Sequence, residues 1–140
     1  MTFDDSDYQP IFVRVENILA KCLPDQNPSL PEIAKTLGMS QRSLVRRLKQ
    51  EKTSFKEVKK NLRLKLIVVF FRSPRKYQMT EIAYRLGFSE VSAFTHACRK
   101  WTGRAPSELL EETRRAMKDE ETPREQPHWF EKALGVEARP

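Results

Sequence analysis

The chain has 140 residues and a formal net charge of +7, with 39% hydrophobic and 32% charged residues, which leaves room for a single domain with a modest core. Two cysteines are too few for a disulfide framework. The longest apolar run, residues 66–71, falls far short of the roughly 20 residues that span a bilayer. The N-terminus is acidic and lacks the apolar segment of a signal peptide. We therefore expect a soluble, cytoplasmic protein with no membrane partner.

The positive charge is concentrated in the middle of the chain. Residues 40–76 hold 13 lysines and arginines but only two acidic residues. A surface of this sign attracts polyanions such as duplex DNA, RNA or an anionic membrane. A basic run is also typical of an ordinary solvated surface, so the charge alone leaves both interpretations open.

Apolar residues at helical spacing predict an all-α fold. Glycine is scarce, and no Asn-Gly or Asp-Gly pair suggests a β-hairpin. The first helix is expected over about residues 11–23, where four apolar side chains recur on one face: Val15, Ile18, Leu19 and Cys22.

Polar start signals and glycine stop signals predict the next helices. Ser29 and Glu32 have the spacing of a capping box and open a short helix that ends at Gly38. Ser40 is expected to cap the following helix. Ser54 begins a second capping box, which opens a long helix.

The second half of the chain shows the same alternation of starts and stops. A short helix is expected from Met79 to Gly87, another from Ser89 to Gly103, and a last one from Pro106 to about residue 117.

An internal repeat connects the two halves. Residues 32–40, EIAKTLGMS, match residues 81–89, EIAYRLGFS, at an offset of 49 with six identities in nine. The match then shifts to an offset of 50, which pairs Leu44 with Phe94, as if the second turn carried one extra residue. A short helix, a left-handed glycine and a capped second helix are the parts of a helix-turn-helix motif. A plain helical hairpin uses the same parts, but two copies inside a basic domain favour the DNA-binding interpretation.

With these residues the chain resembles the DNA-binding domain of the AraC/XylS family of bacterial transcription regulators, over about residues 11–115. The resemblance is strongest in MTEIAYRLGFSEVSAF, residues 79–94, and continues through RKWTGRAP. It implies about seven helices that form two helix-turn-helix subdomains joined by a long linking helix. On this basis we divide the chain into an acidic N-terminal extension (residues 1–10), a first subdomain (11–53), a linking helix (54–74), a second subdomain (75–117) and a flexible polar tail (118–140). Within the tail, residues 128–134 have the pattern of a turn of amphipathic helix, which is most often a surface-docking segment.

The resemblance also implies sequence-specific binding of duplex DNA for transcription regulation. The recognition helices, at about residues 40–51 and 90–102, would enter successive major grooves. In the family, solvent-facing positions in the first half of each recognition helix contact bases, which here are Gln41, Arg42, Val45, Arg46, Val91, Ser92, Thr95 and His96. We assign phosphate contacts to Ser40, Arg47, Lys49, Lys52, Ser89 and Arg99. Arginine can donate two parallel hydrogen bonds to guanine, which suits the arginines of the first helix.

Three positions depart from the family pattern. Cys98 stands where a large aromatic residue is usual, His96 where arginine is common, and Lys52 where glycine is usual. We expect Cys98 to be a small core contact without redox chemistry, and we expect no metal or other cofactor. Phe88 and Trp101 are expected in the core of the second subdomain.

Two further questions stay open at this level. The apolar run 66–71 is broader than one helix face requires, so it either covers extra core or forms a docking patch for another domain. Only about ten residues precede the first helix. The chain is therefore either the C-terminal part of a longer regulator or a reader that binds as a monomer.

The expected partners are promoter or operator DNA, RNA polymerase, and the effector or dimerisation domain that usually precedes the reading domain in this family. A helical protein-interaction module that reuses the same scaffold is the alternative. It would need an apolar or acidic recognition face, whereas Arg42 and Arg46 make the first face basic. No nucleophile–base arrangement or phosphate-binding glycine loop suggests an enzyme.

Overall fold

The structure is a computed structural model that describes residues 9–119 and 127–134. The described residues form only helices and turns, which confirms the all-α prediction. They contain eight helices, one more than the resemblance implies: α1 (Ile11–Cys22), α2 (Leu30–Thr36), α3 (Gln41–Gln50), α4 (Phe55–Arg72), α5 (Met79–Arg85), α6 (Val91–Thr102), α7 (Pro106–Asp119) and α8 (His128–Leu134). None of these helices is long and apolar enough to cross a membrane.

The chain forms two compact units, and the boundary between them lies between Leu62 and Arg63. This boundary falls inside α4. The predicted linking helix, residues 54–74, therefore belongs in part to each unit.

The first unit is organised around α3, against which α1 and α2 pack. Ile11, Val15 and Leu19 form the buried face of α1. Leu44 and Leu48, one turn apart, form that of α3. Apolar residues at helical spacing thus build this core, as the periodicity predicts.

The second unit has its core around α6, which packs against α5, α7 and α8. Phe94 and Cys98 form the buried face of α6. Phe88 and Trp101 are partly buried against the same core, with ring centroids 6.3 Å apart, so their predicted core positions are confirmed.

The apolar run in α4 contributes mostly to the core of the second unit. Ile67, Val68 and Phe71 are buried there, and Leu66 is partly buried against them. Val69 is 61% exposed. Most of residues 66–71 therefore cover extra core, which is the first of the two interpretations of this apolar run.

At residues 128–134 the structure contains the turn of amphipathic helix that the sequence allows within the predicted tail, but this helix packs into the core. These residues form α8, and its Trp129, Phe130 and Ala133 are buried in the core of the second unit. Two adjacent aromatic side chains supply enough apolar surface to hold a short helix that propensity alone would not. The acidic extension before residue 9, and residues 120–126 and 135–140 of the predicted tail, lie outside the described residues.

Candidate nucleic-acid interface

The first helix-turn-helix motif consists of α2, a glycine turn and α3. The Ser29 hydroxyl accepts the Glu32 backbone N–H, and the Glu32 carboxylate accepts that of Ser29 at 3.0 Å, which is the predicted capping box. After α2, Gly38 takes a φ of 71°, and the Met39 N–H donates to the Ala34 carbonyl at 3.0 Å.

The start of α3 follows directly from this turn. The Ser40 hydroxyl accepts the Ser43 backbone N–H at 3.0 Å, so Ser40 is the N-cap of α3 as predicted. A helix that is capped in this way begins at a defined residue, which fixes the register of its exposed side chains.

The second motif repeats this geometry with one added residue. Gly87 has a φ of 87°, and the Phe88 N–H donates to the Ala83 carbonyl at 3.0 Å. However, α6 begins at Val91, and Glu90 occupies its N-cap position without a side-chain capping bond. Ser89, the predicted start of this helix, lies one residue before that N-cap. The recognition helices are therefore offset by 50 residues, which confirms the extra residue in the second turn.

The exposed face of α3 carries all four predicted base-contacting residues of the first motif. These residues line one open concavity of about 680 Å³ together with a lysine: Gln41, Arg42, Val45, Arg46 and Lys49. Val45 is 47% exposed, which leaves its methyl groups available for contact.

The cations of α3 are directed to solvent. No acidic side chain within residues 9–119 or 127–134 forms an ion pair with Arg42, Arg46, Arg47 or Lys49. Lys52 is exposed as well, just beyond the end of α3. Their charge is therefore available to phosphate oxygens or base edges.

The face of α6 is less exposed and less charged. Ser92 and His96, one turn apart, are exposed, whereas Thr95 is partly buried and Val91 packs partly against the core. Helical spacing adds Lys100, one turn beyond His96 and also exposed, which the sequence analysis did not include. The i, i+4 spacing from Ser92 would have revealed this residue.

The two recognition helices end in the same backbone conformation. Gly103, the C-cap residue of α6, has a φ of 78°, and Lys52, just after α3, has a φ of 61°. The left-handed conformation favours glycine, because a Cβ atom is strained there. Lys52 thus takes a glycine-type conformation, which agrees with glycine being usual at this position in the resembled family.

A partly buried arginine, Arg63, holds the turn of the second motif, and no local sequence pattern predicts this role. Arg63 Nε donates to the Leu86 carbonyl at 2.9 Å, and the guanidinium carbon lies 4.1 Å from the Phe88 ring centroid. Burial lowers the pKa of Arg63 from its usual value, but arginine keeps its charge in proteins. Leu86 and Phe88 flank Gly87, so Arg63 contacts the turn on both sides.

Cys98 is a core residue, as predicted. Its side chain is fully buried, and burial raises the pKa of the thiol to about 12. At neutral pH the thiol is therefore protonated and packs as a small apolar group.

Comparison with known proteins agrees with this architecture. Residues 33–112 match the family model of a helix-turn-helix domain. The ornithine utilization regulator of Pseudomonas aeruginosa is 35% identical over 101 residues, which cover 72% of this chain and 29% of that regulator. The regulator VqsM of the same species is 34% identical over 87 residues, 62% of this chain and 26% of VqsM. The chain thus spans less than a third of these relatives.

Solved structures show the same fold. A DNA-binding transcriptional dual regulator from Escherichia coli K-12 superposes with a TM-score of 0.69 at 22% identity, covering 76% of this chain and 95% of that one. The regulator CdpR from P. aeruginosa gives a TM-score of 0.63 at 32% identity, over 71% of this chain and 31% of CdpR. Fold and motifs define a double helix-turn-helix DNA-binding domain of a transcription regulator. The family match covers more than half of the sequence, and the chain belongs to the AraC/XylS family.

Proposed function

We propose that this chain binds duplex DNA sequence-specifically through both of its helix-turn-helix motifs, with α3 and α6 in successive major grooves. The observation that supports this most directly is the exposed face of α3. It presents forked cations that no described acidic residue neutralises, on a helix whose register is fixed by a serine cap. Such a face suits direct contact with base edges and phosphates.

The side chains of α3 suit a mixed readout. Arg42 and Arg46 can each donate two hydrogen bonds to a guanine, Gln41 can pair with an adenine, and Val45 can contact a thymine methyl group. For phosphate contacts we propose the surrounding polar and basic residues Ser40, Arg47, Lys49 and Lys52.

The side chains of α6 support a looser readout. Ser92 and His96 can reach base edges, whereas the partial burial of Val91 and Thr95 limits them to short contacts such as thymine methyl groups. We propose phosphate contacts for Ser89, Arg99 and Lys100. The first motif would then supply most of the sequence specificity.

Selection from a random duplex library, followed by footprinting, tests this function. We expect two protected patches with centres about 10 base pairs apart on one face of the duplex. Inserting five base pairs between the patches should remove most of the affinity, because the second helix would then face away from its groove. Tighter binding to single strands, or a single patch with a harmless insertion, would contradict the proposal.

We propose further that this domain acts within a larger regulatory assembly in the cytoplasm. The curated relatives are transcription regulators in which the matched region is about a quarter to a third of the protein. The expected partners are an effector or dimerisation domain and RNA polymerase at the promoter. Co-sedimentation with polymerase on the selected DNA site, with and without the Arg46→Ala change, would test the second partner.

A further inference from the structure

Helix α8 is anchored in the second unit by a buried hydrogen bond. Trp129 is 3% exposed, and its Nε1 donates to the Thr113 hydroxyl oxygen at 2.9 Å. The Thr113 hydroxyl in turn donates to the Leu109 carbonyl at 2.7 Å. The indole N–H of Trp129 is thus satisfied inside the core, as a buried polar group must be.

The aromatic contacts of α8 extend beyond α7. The Trp129 ring lies 6.5 Å from that of Phe71 in α4 and 6.1 Å from that of Phe130, measured between centroids. The same helix packs against α6, the second recognition helix. Residues of α4, α6 and α7 therefore all contact α8 within the second unit.

Comparison of the two motifs shows what α8 adds. The helix order around the first motif, α1 to α4, is repeated around the second motif by α4 to α7, and α8 is additional. The buried position that Leu48 holds in α3 is held in α6 by Cys98, which has a smaller side chain. Protein interiors are close-packed, so the missing volume must come from a neighbouring element. Trp129 and Phe130 bring large rings into the cluster that contains Cys98.

We propose that Trp129 is a positioning residue for DNA reading, which acts by docking α8 against α6 and so fixing the second recognition helix. A helix of seven residues is not stable by itself, so α8 exists only through this packing. Contacts of this kind open more easily than the whole unit unfolds. The inference rests on the proposed function only at the step where α6 reads DNA.

The two native thiols provide a direct assay of docking. Cys98 is buried in the cluster that contains Trp129, and Cys22 is a partly buried thiol of the first unit. In the full chain, we expect Trp129→Ala to increase labelling of Cys98 by Ellman's reagent on the order of tenfold. Labelling of Cys22 should not change. Lys132→Ala, on the exposed side of α8, is the matched control and should leave both rates as in wild type. Equal Cys98 rates in wild type and Trp129→Ala would overturn the inference.

A second pair of variants keeps the labelling test decisive if Trp129→Ala does not fold. Trp129→Phe keeps a large ring but loses the N–H donor, and Thr113→Val removes its acceptor at nearly constant volume. Both should fold and label Cys98 at intermediate rates. If Cys98 is labelled no faster in either of these variants than in wild type, and Trp129→Ala does not fold, α8 has no positioning role.

Measurements of DNA binding then distinguish an effect on the position of α6 from a general loss of stability. On the intact selected site, Thr113→Val and Trp129→Phe should bind on the order of severalfold more weakly than wild type. On a site whose second half is scrambled, they should bind as wild type does. Equal losses on both sites would show a general loss of stability and would overturn the inference. If wild type bound no duplex at all, the proposed function and the role of Trp129 in reading would both fail. The labelling ratio would then still decide whether α8 holds α6.

Discussion

The carboxylate of Glu51 caps the first turn of α1, 40 residues away in sequence: its Oε2 accepts the backbone N–H of Ile11 at 2.7 Å. The other oxygen, Oε1, accepts the N–H of Phe12 at 2.9 Å. Pro10, the N-cap residue of α1, makes no side-chain capping bond. Glu51 is also the C-cap residue of α3. One side chain thus connects the end of the first recognition helix to the start of α1.

Removing this cap should destabilise the first unit. Glu51→Ala should lower the free energy of unfolding by about 1–2 kcal/mol, because two N–H groups lose their acceptor and the helix N-terminus loses a favourable charge. Glu111→Ala is the control, since Glu111 is 73% exposed, lies beyond the first turn of α7 and is 3.1 Å from Arg115, and such surface pairs contribute about 0–1 kcal/mol. Urea unfolding measures both variants. Equal losses would show that Glu51 acts only as another surface charge.

Lys52, the left-handed residue after α3, predicts a substitution that raises the free energy of unfolding. Lys52→Gly should raise the free energy of unfolding by about 0.5–1 kcal/mol, because relief of Cβ strain exceeds the added entropy of the unfolded chain. Gly103→Ala, at the left-handed residue that ends α6, should lower it by about 1 kcal/mol. An added Cβ at Gly103 meets no atom within 4 Å, so that loss reports the backbone conformation alone. Thermal unfolding compares the two. A destabilised Lys52→Gly would mean that the lysine side chain contributes contacts larger than the strain.

Local signals explain why most of the fold could be predicted from the sequence. The caps at Ser29 and Ser40 lie three residues from the groups they bind, and the glycine turns occupy the same place in both repeats. The features that were missed join distant residues. Trp129 and Thr113 are 16 residues apart, and Arg63 and Leu86 are 23 apart. A pattern read along the chain contains no information about such pairings, which only tertiary packing creates.

The candidate site shows the same difference between features set by local sequence and features set by tertiary packing. Periodicity placed Arg42 and Arg46 on one exposed face, because helix geometry alone determines which side chains are neighbours. The partial burial of Val91 and Thr95 could not be predicted in this way, since it depends on how closely the core of the second unit approaches α6.

The buried thiol predicts a stability change at alkaline pH. The pKa of Cys98 is raised from 9.0 to about 12 by burial, so between these values the unfolded chain loses a proton that the folded unit keeps. Stability from this residue is complete below about pH 9 and decreases as the pH rises towards 12, by about 1.4 kcal/mol per unit at most. The difference in unfolding free energy between wild type and Cys98→Ala, measured from pH 8 to 11, isolates this contribution. A difference that stayed constant over this range would show that Cys98 is accessible to solvent.

Base readout by α3 predicts a local change of specificity. Arg46→Ala should cost about 1–3 kcal/mol of DNA binding free energy and relax the requirement at one base pair. Ser92→Ala in α6 should cost less, because a hydroxyl offers one hydrogen bond where arginine offers two. Lys21→Ala, an exposed cation on α1, should leave the base preferences unchanged. A base-by-base substitution scan of the selected site measures all three. If the half-site under α6 were the more stringent one, the proposed asymmetry would be wrong.

The Arg63 contacts predict a variant that damages the second motif selectively. Arg63→Met should lower the free energy of unfolding of the second unit by about 1–3 kcal/mol, because the Leu86 carbonyl loses its donor and Phe88 loses a stacked guanidinium. Arg63→Lys should recover only part of this, since an ammonium group cannot stack as a plane.

Arg75 supplies the matched control for this comparison. It too makes a hydrogen bond and an aromatic contact, a 2.7 Å bond to the Glu81 carboxylate and stacking 4.4 Å from the Tyr77 ring centroid, but its side chain is 61% exposed. Arg75→Met should therefore cost well under about 1 kcal/mol. Amide hydrogen exchange, resolved by segment, provides the decisive measurement. Arg63→Met should increase exchange at the turn around Gly87 and in α6 more than in α7, because the variant releases the turn that α6 follows. Uniform changes across the second unit would mean that Arg63 stabilises the core as a whole and has no particular role in holding the motif.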